Sequence, residues 1–160
     1  MQIKLKPIGV VQNEFVETVP EGWESVLHHI VFDAQWTPAL EGIEGFSHLY
    51  VLFWLHGIHG EIEMHVHPEN RQDLPEVGIF ATRTPRRPNP LGLQVVELVA
   101  REGNVLTVRG LDALNGSPVL DVKPYLPRGD AVAGARTPEW VGKLFRSRKG
   151  ALAGGAAAGT

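Results

Sequence analysis

Short apolar runs separated by glycine, proline and asparagine dominate the chain and predict a structure built mainly from β-strands. The runs are enriched in valine, isoleucine, leucine and phenylalanine, which pack well on a pleated surface. Eight of them predict strands, at Ile3–Val11, Val26–Asp33, His48–His56, Glu61–His67, Gly78–Thr82, Leu91–Arg101, Val105–Asp112 and Val119–Lys123.

Two of these runs differ in how their faces are expected to be covered. The run HLYVLFWLH is apolar almost throughout and predicts a strand covered on both faces. The run EIEMHVHP alternates, with Ile62, Met64 and Val66 on one side, and predicts a strand with one face in water. The Asn-Gly pair in LNGSP predicts a hairpin between Val105–Asp112 and Val119–Lys123.

Helical patterns are confined to two places. The segment TPALEGIEGF predicts a short helical turn after Thr37 and Pro38. The segment TPEWVGKLFRSRKG predicts a C-terminal helix with Thr137 as N-cap, Pro138 at the first helical position and Glu139 in the first turn. Its apolar face is expected to pack through Trp140, Val141, Leu144 and Phe145.

These elements predict a mostly β protein, a single compact β-barrel with short helical insertions and a C-terminal helix. Closure of the sheet removes the exposed edges that eight short strands would otherwise leave. One domain is expected over residues 1–148, followed by a disordered Gly/Ala tail over residues 149–160. A dinucleotide-binding fold is disfavoured, since no Gly-x-Gly-x-x-Gly follows a strand.

Composition narrows the class of protein. With 160 residues and no cysteine, the chain is one domain long and has neither a disulfide nor a thiolate nucleophile. No stretch approaches the roughly 20 apolar residues of a membrane span, and no signal-peptide pattern opens the sequence, so a cytoplasmic protein without membrane contact is expected. A net charge of −3 restricts any nucleic-acid contact to a local basic patch.

The stretch GIFATRTPRRPNPLGLQVVELV places a proline-rich turn with three arginines between two apolar runs. Each proline restrains itself and the residue before it, so the turn is stiff. A stiff turn holds Arg83, Arg86 and Arg87 in place for a carboxylate or phosphate and lowers the entropy lost on binding. The alternative is an ordinary solvated turn whose arginines pair with surface carboxylates.

This stretch, together with GLDALNGSPVLDVKPYLP and GFSHLYVLFWLH, resembles the TsaA-like, TrmO-type tRNA methyltransferases. The family pattern runs close to G-V-F-A-T-R-S-x-x-R-P-N-P-I-G and then D-G-T-P-V-x-D-I-K-P-Y. The resemblance covers about half of the chain, from Gly45 to Pro127. It differs at TVPEGWESV, Thr18 to Val26, where longer members carry a Pro-Arg-Gln-Pro-Gly run.

The resemblance implies a β-barrel homodimer that binds S-adenosyl-L-methionine (SAM) near the dimer interface. It implies methylation of N6 of threonylcarbamoyladenosine at position 37 of tRNA, beside the anticodon. The cofactor contacts that it implies are Leu55, His56, Arg83, Leu93, Arg109, Gly110, Leu111 and Asp112.

Methyl transfer from a sulfonium is an in-line displacement that needs positioning and a proton acceptor, with no covalent nucleophile. In LDVKPY we predict Asp121, Lys123 and Tyr125 as catalytic residues, and the base itself is left open between Asp112, Asp121 and bound water. Substrate contacts are predicted at Arg86, Arg87 and Asn89, joined by the cationic helix end Lys143–Lys149.

Three other functions remain alternatives at this point. The first is a SAM-dependent methyltransferase for another small-molecule or RNA acceptor. The second is a metal-binding enzyme using the cluster of His56, His59, His65 and His67, although we assign no metal ligand. The third is a non-catalytic SAM- or RNA-binding module, for which the retained polar motif residues would have no evident use.

Overall fold

The computed structural model describes residues 3–19 and 21–145. Its strands are β1 (Gly9–Gln12), β2 (Leu27–Phe32), β3 (His48–Trp54), β4 (His65–Val66), β5 (Val77–Gly78), β6 (Leu91–Glu102), β7 (Val105–Arg109) and β8 (Pro118–Pro124). Short 3-10 helices cover Trp23–Ser25, Ala34–Leu40, Ile43–Gly45, Pro68–Asn70 and Ile79–Ala81. Two short α-helices are α1 (Pro127–Asp130) and α2 (residues 139–145).

The chain divides into two compact units. The barrel unit comprises Met1–Glu61 and Pro85–Asp130, and the second unit comprises Ile62–Thr84 and Ala131–Thr160. No helix among the described residues is long and apolar enough to span a bilayer.

Six strands of the barrel unit form a closed barrel in the order β1-β2-β7-β6-β3-β8. Every neighbouring pair is antiparallel, including β1 and β8, which close the barrel. The predicted fold class, a mostly β barrel with few helices, is confirmed. The first strand begins at Gly9, and the residues from Ile3 to Pro7 that were also expected to be strand are exposed.

The barrel core follows from the alternation of side chains along each strand. In β3, Leu49, Val51 and Phe53 are buried, whereas the outward residues between them are only partly covered and His48 is exposed. The expectation of a strand covered on both faces was therefore too strong. The inward side chains of the other strands complete the core with Val11, Ile30, Phe32, Val96, Leu106, Val108 and Val119.

The predicted hairpin between the seventh and eighth strands is wrong. β7 lies between β2 and β6, and β8 lies between β1 and β3. The Asn-Gly pair instead helps the chain to pass from β7 to β8: Gly116 has a φ of 79° and its N–H donates to the Val11 carbonyl at 2.8 Å. A turn signal specifies local backbone shape, whereas strand partners are chosen by the whole barrel.

The second unit contains less strand than its sequence predicts. Among its described residues, only His65–Val66 and Val77–Gly78 pair, as β4 and β5, and a 3-10 helix follows at Ile79–Ala81. The exposed side chains of Ile62 and Met64 contradict the predicted one-sided burial of the first run. A two-residue ladder offers too little surface to bury an alternating face.

The predicted C-terminal helix forms over residues 139–145. Trp140, Val141 and Leu144 are partly buried, but Phe145 is half exposed, so the packed face is narrower than expected. The predicted Gly/Ala tail and the cationic residues after Phe145 lie outside the described residues.

Candidate active site at one end of the barrel

The antiparallel order of the barrel brings several predicted residues to one end. The segments that follow β1, β3 and β7, and those that precede β2, β6 and β8, meet at the same end because neighbouring strands run in opposite directions. We call this end the upper rim. The predicted residues that belong to it are Leu55, His56, Arg86, Arg87, Asn89, Gly110, Leu111 and Asp112.

The proline-rich turn is fastened to the end of β3. The Leu55 N–H donates to the Pro90 carbonyl at 2.8 Å, and the Leu91 N–H donates to the Asn89 carbonyl at 2.8 Å. The turn thus enters β6 beside Leu55. A single site built from the proline-rich turn and from the end of β3 requires this proximity. Of its basic side chains in the barrel unit, Arg86 is exposed and Arg87 is partly buried.

His56 connects the end of β3 to the start of β8. Its Nδ1 lies 3.2 Å from Oγ of Ser117, whose side chain is buried. Ser117 also accepts a backbone hydrogen bond from Val11 at 3.0 Å. The imidazole is therefore held by a residue that the sequence did not single out.

The exit from β7 is a turn built around Gly110. This glycine has a φ of 81°, a region that only glycine adopts without strain, and its N–H approaches the Val26 carbonyl at 3.4 Å. Leu111 is fully buried and anchors the turn in the core, whereas Asp112 is exposed. The turn therefore presents one carboxylate at the upper rim on a fixed backbone.

A second group of predicted residues lies on the outer wall of the barrel rather than at the rim. Leu93 of β6 and Asp121 of β8 flank Leu52 of β3 in register. In the neighbouring row, Val95 and Lys123 flank Tyr50. We call this surface the outer wall; on it Lys123 Nζ lies 2.6 Å from Asp121 Oδ2.

Arg109 and Tyr125 occupy a third row of this wall. Arg109 forms an ion pair with Glu97 of β6 at 2.5 Å, and Glu97 is in register with His48 of β3. Tyr125 follows the far end of β8, and its N–H donates to the His48 carbonyl at 3.0 Å. The three predicted catalytic residues therefore extend from Asp121 along β8 to beyond its end, away from the upper rim.

Tyr50 is an outer-wall residue that the sequence reading missed. Its ring packs edge-on against Tyr125 with centroids 5.5 Å apart. The pKa of its phenol is raised above the ordinary value, mainly by partial burial and to a smaller extent by the negative charges of Asp130 and of ionised Tyr125. The phenol of Tyr50 therefore stays protonated at neutral pH. The alternation in HLYVLFW was the available signal, because it places this tyrosine opposite the core.

Arg83 belongs to the second unit and is exposed. The backbone just before it is fixed: Thr82 Oγ1 donates to the Ile79 carbonyl at 2.8 Å and accepts from the Thr84 N–H at 3.2 Å. This turn restrains the guanidinium's point of attachment, in line with the stiffness expected from the sequence.

The histidine cluster does not assemble a metal site among the described residues. They contain no group of three or more His, Cys, Asp or Glu side chains placed to hold an ion. His67 uses Nδ1 to donate to the Leu74 carbonyl at 2.9 Å, and His56 uses Nδ1 toward Ser117. Both imidazoles thus have partners within the protein.

The sequence pattern of the tRNA-methyltransferase O N-terminal domain matches residues 16–131 of the chain. The chain belongs to this family. The resemblance inferred from the arginine turn is thereby confirmed, and the match includes both the upper rim and the outer wall.

Relatives of this chain differ in length. The chain is 42% identical to a probable S-adenosyl-L-methionine-binding protein of Methanothermobacter thermautotrophicus, over 78% of this chain and 91% of the relative. It is 36% identical to the tRNA (adenine(37)-N6)-methyltransferase of Escherichia coli K12, over 67% of this chain and 48% of the relative.

Solved structures of TrmO share the fold. One superimposes with a TM-score of 0.71 at 33% identity, over 86% of this chain and 64% of that one. TrmO from Pseudomonas aeruginosa gives 0.69 at 34% identity, over 86% and 61%. The chain thus spans less than two thirds of these structures and about half of the E. coli enzyme.

Proposed function

We propose that this chain is a SAM-dependent methyltransferase that modifies N6 of threonylcarbamoyladenosine at position 37 of tRNA. The observation that carries the proposal is the family match over residues 16–131, joined to 36% identity with an E. coli protein named as a tRNA (adenine(37)-N6)-methyltransferase. Other relatives are named as SAM-binding proteins, which supports the cofactor.

The donor set of the upper rim fits the chemistry of SAM. The partly buried Leu55 offers an apolar contact for an adenine ring, and the exposed Asp112 places a carboxylate at the same rim. Arg83 is the guanidinium group that the resemblance implies for a cofactor carboxylate. We propose these residues, with His56, Leu93, Arg109, Gly110 and Leu111, as the cofactor-binding set or its support.

When bound, SAM supplies a methyl group on a sulfonium, and the protein supplies alignment and a proton acceptor. Asp112 is the better placed acceptor, because it stands at the upper rim beside the Gly110 turn. Asp121 lies on the outer wall with Lys123 at 2.6 Å. We therefore assign Asp121, Lys123 and Tyr50 to holding the acceptor nucleoside, with Tyr125 packed behind Tyr50.

Single-turnover methylation separates the two carboxylates. Asp112→Asn is expected to lower the rate of methyl transfer by about 100-fold or more, the lower range for loss of a general base. Asp121→Asn is expected to raise the tRNA concentration needed for half saturation with a smaller change in rate. The reverse pattern would assign the base to Asp121.

We propose tRNA contact through Arg86, Arg87 and Asn89, which lie in the stiff turn at the upper rim. Contacts between guanidinium groups and backbone phosphates do not depend on the nucleotide sequence of the RNA. This contact therefore positions the anticodon arm and does not distinguish one tRNA from another. The modified base is then the element that gives specificity. A cytoplasmic location, where tRNA is modified, accompanies this proposal.

We propose that the active form is a homodimer, a twofold assembly being the commonest closed one. The outer wall supports this proposal, since β6 exposes the apolar side chains of Leu93 and Val95 there. Leu93 is 58% exposed in the single chain, yet the resemblance implies that it contacts the cofactor. A second subunit over the β6 side of this wall would cover both Leu93 and the cofactor, and would leave the β8 side with Asp121 and Lys123 open to the acceptor nucleoside.

The substrate is tested with labelled SAM and bulk tRNA from cells that make, or lack, the threonylcarbamoyl modification, followed by identification of the labelled nucleoside. Label confined to the modified pool supports the proposal. Equal labelling of both pools, or labelling of a metabolite extract alone, would contradict the proposed substrate. The proposed methyltransferase activity would still stand. SAM binding without transfer to any acceptor would instead indicate a binding module.

A further inference from the structure

A histidine is buried inside the barrel directly beneath the upper rim. His28 occupies an inward position of β2 opposite Val108 of β7, and its side chain is fully buried. Phe15 packs edge-on against the imidazole, with centroids 5.3 Å apart. A buried imidazole in this layer requires a polar partner to offset the loss of hydration.

That partner is Asn13, the residue that follows β1. Its Nδ2 lies 3.0 Å from His28 Nδ1 and donates to the Ala113 carbonyl at 2.8 Å, while its Oδ1 accepts from the Phe15 N–H at 2.8 Å. The backbone N–H of Asn13 donates to Asn115 Oδ1 at 3.1 Å. Every polar atom of the Asn13 side chain is thus used.

These bonds fix the protonation state of His28. Because Oδ1 of Asn13 accepts from a backbone N–H, the amide nitrogen must be the group that faces the imidazole, and it can only donate. His28 Nδ1 must then accept, so the ring is neutral with its proton on Nε2. Burial lowers the pKa of His28, which keeps it neutral, and the Trp23 backbone opposes this only in part.

The cluster holds the segment that carries Asp112. Leu111 is fixed by burial on one side of the aspartate, and Ala113, 2% exposed, is fixed on the other by the bond from Asn13. Further along, the Asn115 N–H donates to the Phe15 carbonyl at 2.6 Å. The backbone on both sides of Asp112 is therefore tied to the ends of β1 and β2.

We propose that Asn13 and neutral His28 form a clamp that positions Asp112 and the turn after β7 for SAM. The side chain of His28 is fully buried and every polar atom of the Asn13 side chain is engaged within the protein, so both are positioning residues that act through Ala113 and Asn115. The inference rests on the proposed function, because that function assigns the turn to the cofactor.

The test compares Asn13→Asp with Asn104→Asp in the full chain. Both changes replace a side-chain amide that donates to a backbone carbonyl, since Asn104 Nδ2 donates to the Phe32 carbonyl at 2.5 Å. Asn104, however, lies between β6 and β7, at the end opposite the upper rim. Affinity for SAM is measured by calorimetry and stability by thermal unfolding, and backbone amide signals of residues 110–115 are followed by NMR without ligand.

Asn13→Asp is expected to shift the amide signals of residues 110–115 and to weaken SAM binding about tenfold. Asn104→Asp is expected to lower the melting temperature as well but to keep the affinity within about twofold. Asn115→Ala, a milder change at an exposed side chain, should weaken binding in the same direction. The 15N signal of His28 Nδ1 in the native protein should be that of an unprotonated nitrogen.

Native affinity in Asn13→Asp, or equal losses in the two aspartate variants, would overturn the clamp and leave the proposed function standing. If Asn13→Asp does not fold, unchanged affinity in Asn115→Ala has the same consequence. Failure of the native protein to bind SAM would instead reject the proposed function, and with it the role of the clamp.

Discussion

Single residues in the barrel core limit which side chains a position can accept. Gly92 and His28 illustrate two such limits. Gly92 is in register with Phe53, and the phenyl ring occupies the space where a Cβ of residue 92 would be. His28 places a titratable group where hydration is lost. In the first case the constraint is volume, and in the second it is charge.

Gly92→Ala is expected to destabilise the protein by about 1–3 kcal/mol, because a methyl group would displace the Phe53 ring in a packed core. Chemical denaturation measures the change in the free energy of unfolding. Gly45→Ala is the matched control, because nothing lies within 4 Å of its Cβ position, and it should change stability by less than about 0.5 kcal/mol. Equal effects would show that the ring moves aside freely.

Acidification is expected to destabilise the protein through His28. The folded-state pKa is lowered from the ordinary value of 6.5, so the unfolded chain binds a proton that the native state resists. The stabilising contribution is present above about pH 6.5 and is lost as the pH falls toward the native pKa. Urea unfolding at several pH values should show this slope in the native protein and a smaller slope in His28→Gln. An unchanged slope in His28→Gln would contradict the assignment.

At the scale of elements, β6 and its neighbours decide which predicted residues can act together. β6 has 12 residues and pairs with β3 through its first part and with β7 through its second. The ion pair of Arg109 with Glu97 therefore stands several residues away from Leu93 on the same strand. Both partners of this pair are partly exposed, which limits its contribution to stability.

Arg109→Met is expected to change the free energy of unfolding by less than about 1 kcal/mol, in keeping with an exposed ion pair. If Arg109 supports the cofactor, affinity for SAM falls by more than this change in stability explains. Arg101→Met is the control, because Arg101 pairs with Glu44 at 3.3 Å beside the turn between β6 and β7, at the end opposite the upper rim. Parallel calorimetric titrations that give equal affinities for the two variants would remove Arg109 from the site.

At the scale of the whole molecule, closure of the barrel determines how two copies can associate. Each of the six strands has a neighbour on either side, which leaves less unpaired edge for another chain than an open sheet would. Side chains on the outer surface are then the larger surface for association. Exposed apolar residues of the outer wall provide such a surface, and the proposed cofactor contact at Leu93 lies within it.

Leu93→Lys is expected to convert the proposed dimer into a monomer and to weaken SAM binding, because a charge would be buried in the interface. Sedimentation at micromolar concentration measures the first effect and calorimetry the second. Val99→Lys is the control, since Val99 is also apolar and exposed on β6 but lies at its bulge, between Leu98 and Ala100 and away from Leu93. A native protein that is monomeric and binds SAM fully would remove the reason for the dimer.

The sequence by itself determined the fold class, the approximate position of the six barrel strands and the family. The alternation of apolar and polar residues and the presence of turn residues reflect backbone preferences over a few consecutive positions. They can therefore be recognised in the sequence without knowing which strand lies across the barrel. The stiff turn around Arg86, Arg87 and Asn89 could also be predicted from the sequence, because its prolines constrain the backbone locally.

Only the tertiary structure decided the strand partners and the groupings of side chains. LNGSP looked like a hairpin, yet closure of the barrel separated β7 from β8 and used the turn to cross the upper rim. Asn13 and His28 are 15 residues apart, and Asn13 and Ala113 are 100 apart. No local pattern records such contacts, because they arise where strands distant in sequence are brought together to bury a common core.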